Sequence, residues 1–258
     1  MLNRRKKRAM RNGLVYILII AALSVAAYGY QWIDTYLQES LTTFKLVDIE
    51  INGNNILSRE DVLNLCGLEE DGSQLLIIKP PEVVKRICNS PYVKAATAVR
   101  SLPSKLRITI LERKPIAFIY GRGLNFIDED GVLIPVPRTS SRWNLPFISG
   151  VNESLGALGH RTVSGKALQG VEIISYMQMI PSSLNEMISE IDMSRNDYVM
   201  LKLIRGGAEV KIDKNNYQEN LFILNQYFEK YLEWNQLPMF EYVDVRFKDQ
   251  LIIKNKNG

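Results

Sequence analysis

Residues 106–117 read Leu-Arg-Ile-Thr-Ile-Leu-Glu-Arg-Lys-Pro-Ile-Ala, and the fold is decoded outward from them. From Leu106 to Glu112 apolar and polar side chains alternate, the period-two pattern of a half-buried strand. Ser101-Leu102-Pro103-Ser104 precedes it as a turn, and Val93–Arg100 alternates as a second strand. Further back, Pro80-Pro81 opens a helix, proline being tolerated in a first turn, with Val83, Val84 and Ile87 on its apolar side and Asn89 at its end. An earlier helix starts at Ser58, which with Asp61 makes a capping box; Val62, Leu63, Leu65 and Cys66 form its apolar face and Gly67 stops it. Phe44–Ile51 alternates around Leu46, Val47, Ile49 and Ile51 and meets the turn Asn52-Gly53-Asn54-Asn55. Residues 44–113 therefore read β-α-α-β-β, within an α+β fold class.

Upstream, Arg4, Arg5, Lys6, Lys7, Arg8 and Arg11 precede Leu14–Trp32, a stretch without formal charge. At 1.5 Å per helical residue this stretch spans about 28 Å, close to the hydrocarbon thickness of a bilayer. The cations place residues 1–13 as a basic cytoplasmic tail, 14–32 as a transmembrane helix and 33–43 as a polar linker, with the rest extracytoplasmic. Tyr28, Tyr30 and Trp32 then fall at an interfacial belt. A cleaved signal is the rival, with Ser24-Val25-Ala26 as its small-residue site; the full membrane length and terminal aromatics favour an uncleaved anchor.

Downstream, Leu124–Ile127 and Val132–Val136 flank Asp128-Glu129-Asp130-Gly131, a hairpin whose Asp-Gly pair suits positive φ and whose acids read as a solvated tip. A short strand at Leu145–Gly150 is followed by a helix at Gly165–Met179 and strands near Ile188–Met193, Val199–Leu203 and Ala208–Ile212. A long helix from Tyr217 to about Trp234 carries Leu221, Phe222, Leu224, Tyr227, Phe228, Tyr231 and Leu232 at three- and four-residue spacing, a core-packing stripe. The chain closes with Tyr242–Phe247 and Gln250–Ile253 about a Lys248-Asp249 turn, and residues 255–258 are a short tail. A strand ending a chain is often an edge that recruits a partner.

Composition narrows the function. Of 32 basic and 28 acidic residues, six cations lie in the amino-terminal tail, so the remaining 26 basic residues face 28 acids. That balance argues against a nucleic-acid-binding body. One His and two Cys are too few for a Cys/His zinc site. Gly159–Ala167 fails as a phosphate loop, because five residues separate Gly159 from Gly165 and Ala167 stands where a hydroxyl is needed. No Gly-x-Ser-x-Gly elbow accompanies His160, and the 128–131 acids lack a calcium-loop array. The residues thus offer no catalytic, cofactor-binding or metal set. Cys66 and Cys88 could pair, or could sit buried as small apolar side chains near helix ends.

The β-α-α-β-β order with its Asn52-Gly53 turn, the Ser58 cap, Ser90-Pro91-Tyr92-Val93 and Leu106–Pro115 together resemble the FtsQ-type POTRA domain. Following a single membrane segment, and with Leu145–Gly150 similar to an L-P-x-I-x-G strand, residues 14–254 resemble the bacterial cell-division family FtsQ, called DivIB in Gram-positive bacteria. The resemblance implies a POTRA domain at 44–113 and a second, mixed α/β domain at 114–254 with an antiparallel sheet and a long carboxyl-terminal helix. It implies a non-enzymatic, membrane-anchored divisome scaffold, enriched at the septum, that binds the bitopic proteins FtsB and FtsL and links them to septal peptidoglycan synthesis. No cofactor or small-molecule substrate is implied. An envelope hydrolase and a POTRA-bearing export chaperone are the alternatives; the first lacks a motif, and no barrel of alternating strands follows for the second.

The resemblance also implies a site. Asp244-Val245-Arg246-Phe247 falls on the family's D-L-R-Y segment, with Phe247 in place of Tyr, and the expected partner-binding residues are Tyr242, Asp244, Arg246, Phe247, Lys248, Leu251 and Ile252. Arg246 would pair bidentately with a partner carboxylate and Phe247 would anchor. Alternation alone allows a blander reading, in which Val243, Val245, Phe247, Leu251 and Ile252 complete the core.

Overall fold

The computed structural model describes residues 3–42, 44–68, 74–137, 142–181, 184–204, 208–231, 236–248 and 250–256, with side chains for 17–36 and from 44 onward. The side chains of the six amino-terminal cations, and Leu232, Trp234 and Asp249, lie outside the described residues.

Helix α1 runs unbroken from Asn3 to Thr42. Among the residues whose side chains are described, Ile17–Tyr36 is long and apolar enough to cross a membrane, 20 residues with mean hydropathy 1.4, overlapping the expected 14–32. The segment read as a linker is its continuation, since Gln31–Thr42 contains neither Gly nor Pro to stop a helix.

Strand β1 (Asp48–Asn52), helices α2 (Arg59–Cys66) and α3 (Pro80–Cys88), and strands β2 (Val93–Ser101) and β3 (Lys105–Glu112) build the first module. Strand β3 is central, parallel to β1 and antiparallel to β2. Leu106, Ile108 and Ile110 turn one face of β3 toward α2 and α3, where they bury with Ile49, Val62, Cys66, Val83 and Ile87. The Ser58 Oγ accepts from Asp61 N at 3.1 Å while Asp61 Oδ2 accepts from Ser58 N at 2.9 Å, so the capping box is closed on both sides. Strand β1 starts later than Phe44 because the entering chain bonds elsewhere: Phe44 O accepts from Leu75 N, and Lys45 bridges to Gln74. Of the two thiols, Cys66 is buried and Cys88 is exposed; both are free, so of the two alternatives the unpaired one is found, and the burial expectation holds for Cys66 alone.

Gly53 has φ +85°, and a Cβ there would overlap the Ile110 carbonyl oxygen. Gly53→Val should therefore destabilise by more than the ~1 kcal/mol typical of a lost positive-φ glycine. Gly131 (φ +76°) would place its Cβ against the mobile end of Leu168, a milder clash. Comparing the thermal midpoints of the two Val variants tests that order.

The second module follows with two intervening residues. Its strands are β4 (Pro115–Tyr120), β5 (Leu124–Asp128), β6 (Leu133–Pro135), β7 (Phe147–Ser149), β8 (Ile188–Asp192), β9 (Tyr198–Leu203), β10 (Glu209–Asp213), β11 (Phe240–Asp244) and β12 (Ile252–Asn255). The helices are α4 (Gly165–Met179), α5 (Leu184–Met187) and α6 (Tyr217–Tyr231), with a 3-10 turn at Leu237–Met239. Among the described residues the strands form one sheet ordered β12-β11-β10-β9-β8-β7-β4-β5-β6. Pairs β4–β7, β7–β8 and β10–β11 are parallel and the others antiparallel.

Ala167, Val171, Ile174 and Met177 of α4 and Leu221, Leu224 and Phe228 of α6 bury with Ile148, Ile191, Leu201, Val210 and Val243. Phe222 and Tyr231, expected in that stripe, are exposed; the buried set 221, 224, 225 and 228 fills one face and leaves position 222 across the helix.

The β5–β6 turn corrects a second expectation. Asp128 is 1% exposed and not a solvated tip. Its Oδ1 accepts from Asp130 N (3.0 Å) and Val132 N (2.8 Å), and its Oδ2 binds Arg113 Nη1 at 2.7 Å. Glu129 and Asp130 do lie at the surface, each bridged to Lys94 of β2. The two modules thus meet through Arg113 and Lys94 on one side and the 128–130 carboxylates on the other.

Candidate functional site

Strand β12 ends the sheet, and its outer edge has no neighbouring strand among the described residues. It pairs antiparallel with β11, Asp244 opposite Ile252 and Tyr242 opposite Lys254. Inward, β11 pairs parallel with β10, Val243 opposite Val210.

The strand stops at Asp244, three residues short of the alternation read from sequence, and this redistributes the expected site. Val243 and Val245 are fully buried, and Val245 N still donates to Lys211 O at 3.0 Å. Phe247, past the strand end, is 47% exposed, and Ile252 is exposed as well. The core reading therefore fails for Phe247 and Ile252; Leu251 packs partly on the core, as does Ile253, which the sequence reading had not singled out.

The Arg246 fork is already engaged within the chain. Its Nε and Nη2 bind Asp244 Oδ1 (2.9 Å) and Oδ2 (2.7 Å), and its guanidinium carbon lies 4.7 Å from the centre of the Tyr198 ring and 5.7 Å from that of Phe247. Burial pushes the Asp244 carboxyl up, but the Arg246 side chain and backbone N–H outweigh it and hold the group below the usual carboxylate range. A carboxylate lowered on folding stabilises above its unfolded pKa, so this pair's contribution is lost as pH falls through the acidic range. Tyr242 is half-buried, with Lys211 Nζ 4.1 Å from its ring centre, and Lys248 is exposed.

The site thus comprises an available strand edge, two exposed apolar side chains beside its turn, and an Arg–carboxylate–Tyr cluster that stiffens the turn from below. Such a surface can pair backbone with an added strand and seat apolar side chains next to it. Tyr198, and Asp197 at 4.0 Å from Arg246, escaped the sequence reading because they come from β9 and its approach, some 48 residues earlier.

The fold is that of a two-module α+β chain preceded by one helix long and apolar enough to cross a membrane. The family model described as POTRA domain, FtsQ-type, matches residues 44–113, and that described as Cell division protein FtsQ/DivIB, C-terminal, matches 117–246. Similar curated proteins are cell division protein FtsQ of Geotalea daltonii (25% identical, 92% of this chain and 83% of that protein) and of Koribacter versatilis (26%, 96% and 71%). Cell division protein DivIB of Clostridium acetobutylicum is 23% identical over 81% of this chain and 82% of its own. Among solved structures, the major extracytoplasmic domain of DivIB from Geobacillus stearothermophilus is 17% identical with TM-score 0.32, covering 47% of this chain and 98% of that one. The chain belongs to the FtsQ/DivIB family of bacterial cell-division proteins. The carboxyl-terminal match stops at Arg246, so Phe247, Lys248, Leu251 and Ile252 lie beyond it.

Proposed function

We propose that this chain is a non-catalytic, single-pass scaffold of the divisome that holds FtsB- and FtsL-like bitopic proteins through the outer edge of β12. It would link them to septal peptidoglycan synthesis. The observation that carries the reading is the open edge of β12 beside the exposed Phe247 and Ile252. A membrane anchor supports it physically, because confinement near membrane partners raises effective concentration without a tight pairwise affinity. Tyr242, Asp244 and Arg246 act as the frame, and Phe247, Lys248, Leu251 and Ile252 as the contact surface.

The test separates frame from surface. Phe247→Ala and Ile252→Asp should each weaken binding of an FtsB-like segment about 30-fold, roughly 2 kcal/mol, with the thermal midpoint unchanged. Arg246→Glu should instead lower the midpoint, since it leaves the Asp244 carboxylate buried against a like charge. Wild-type binding by both Phe247→Ala and Ile252→Asp would move the interface elsewhere.

Orientation has a native reporter. Both modules are proposed to lie outside the cytoplasm, so an impermeant maleimide should label Cys88 in intact cells, or in spheroplasts if an outer membrane encloses them. Cys66 should stay silent, because burial pushes its thiol up to about 11 against the opposing charge of Arg86. Label at Cys88 only after lysis would reverse the topology.

A further inference from the structure

We infer that the end of the first module next to α1 is a lipid-docking face, resting in the headgroup layer of the bilayer that α1 crosses. The inference depends on reading α1 as membrane-spanning.

Val47, Ile77 and Leu102 are 72%, 70% and 61% exposed, and Leu76 is exposed beside them. Backbone bonds place these side chains, distant in sequence, at one end of the module. Val47 N donates to Ser104 O at 2.8 Å, which sets Val47 against the turn that carries Leu102. Leu75 N donates to Phe44 O at 2.8 Å, and Ile77 N donates to Gln74 O, so the 74–77 turn lies on the entering chain. Arg100 reaches across with Nε and Nη2 to Ile78 O at 2.9 and 2.6 Å, joining that turn to the end of β2 just before Leu102. Val47, Leu76 and Ile77 have chain neighbours that pack inward: Leu46, Leu75 and Ile78 are buried. The outward ones are therefore not needed to complete this core.

What covers them follows from where the chain enters. Helix α1 ends at Thr42, and Phe44 is already bonded to the 74–77 turn. From Tyr36, the outermost of the exposed aromatics on α1, six helical residues reach Thr42, about 9 Å of rise, against a headgroup layer of roughly 5–8 Å per side. A tilt near the usual ~20° lowers that end further. Tyr28, Tyr30, Trp32 and Tyr36 are exposed on α1, the side chains that mark an interface, so the patch begins where the belt ends. At the rim, Lys79 binds Glu82 (3.0 Å) and Lys105 binds Asp48 (3.0 Å). With those two cations paired, apolar burial supplies the main attraction, and a zwitterionic bilayer suffices for docking.

The test uses the full chain in phosphatidylcholine nanodiscs, Cys88→Ser, with an environment-sensitive fluorophore on Ile77→Cys or Leu102→Cys. Leu23→Cys reports the membrane interior and Phe222→Cys the solvent. Labels at 77 and 102 should be quenched several-fold more than at 222 by a headgroup nitroxide lipid, and the label at 23 by a deep-chain nitroxide. Val47→Asp combined with Leu102→Asp should abolish the quenching at 77, which should be present without any anionic lipid. Deep quenching at 23 with 77 and 102 matching 222 would overturn the docking face alone. A label at 23 that escapes quenching would overturn the spanning helix and the docking face with it. Fluorophore self-quenching at 77 only in discs holding two chains, without lipid quenching, would assign the patch to self-association and overturn lipid docking.

Discussion

Replacing Glu112 by Ala is expected to cost about 3 kcal/mol or more of stability in the first module. Its carboxylate is 7% exposed and accepts three consecutive backbone N–H groups, from Asn55 (2.9 Å), Ile56 (2.7 Å) and Leu57 (2.9 Å). Those residues lead from the Gly53 turn into the Ser58 cap, so one side chain at the end of β3 fixes the entry to α2. Truncation strands three donors, each at about 1–3 kcal/mol if left buried and unbonded, with water recovering part. Glu112→Gln keeps an acceptor oxygen and should fall between. Hydrogen exchange at amides 55–57, with the denaturation midpoint, measures the effect. A loss below about 1 kcal/mol with unchanged exchange would show that the loop holds itself.

Asp128→Ala should cost a comparable amount, about 3–5 kcal/mol, because it breaks a buried ion pair and leaves Arg113 without its short partner. The change also strips the β5–β6 turn of the acceptor for two backbone N–H groups. Arg113→Met with Asp128→Leu removes both charges together and should recover much of the loss, which a simple turn defect would not allow. Chemical denaturation of the three proteins decides it; equal losses in the single and double variants would leave turn capping as the whole effect.

These two carboxylates mark where sequence reading ran out. The alternation of Leu106–Glu112 located β3 and its buried face, but an acid at a strand end looks the same whether it meets water or backbone donors 55 residues away. Asp128 sits in a composition, Asp-Glu-Asp-Gly, that signals a solvated turn, and only its contact with Arg113 across the β4–β5 pair reveals burial. Gly165–Met179 was legible to the residue, because Ser164 caps it and the helical period runs through it. Strand β4 was missed because the Pro115–Tyr120 run is too apolar to alternate. At the site, the chemistry of Arg246 was legible and its partner was not. The fork does find a carboxylate, but that carboxylate is Asp244, since β11 ends there and lets the chain fold the guanidinium back.

The strand order of the large sheet also sets a reach. Strand β4, which receives the chain from the first module, and β12 are separated by six inter-strand steps, at roughly 4.8 Å each about 29 Å along the sheet. A partner strand added to β12 is therefore held at arm's length from the junction by a plate of hydrogen bonds that does not stretch. On the proposed reading, a partner seated at that edge would have to cover the same lateral offset from the junction, about 20 residues if it did so as a helix of 1.5 Å rise, so the width of the sheet would set the stalk a partner needs.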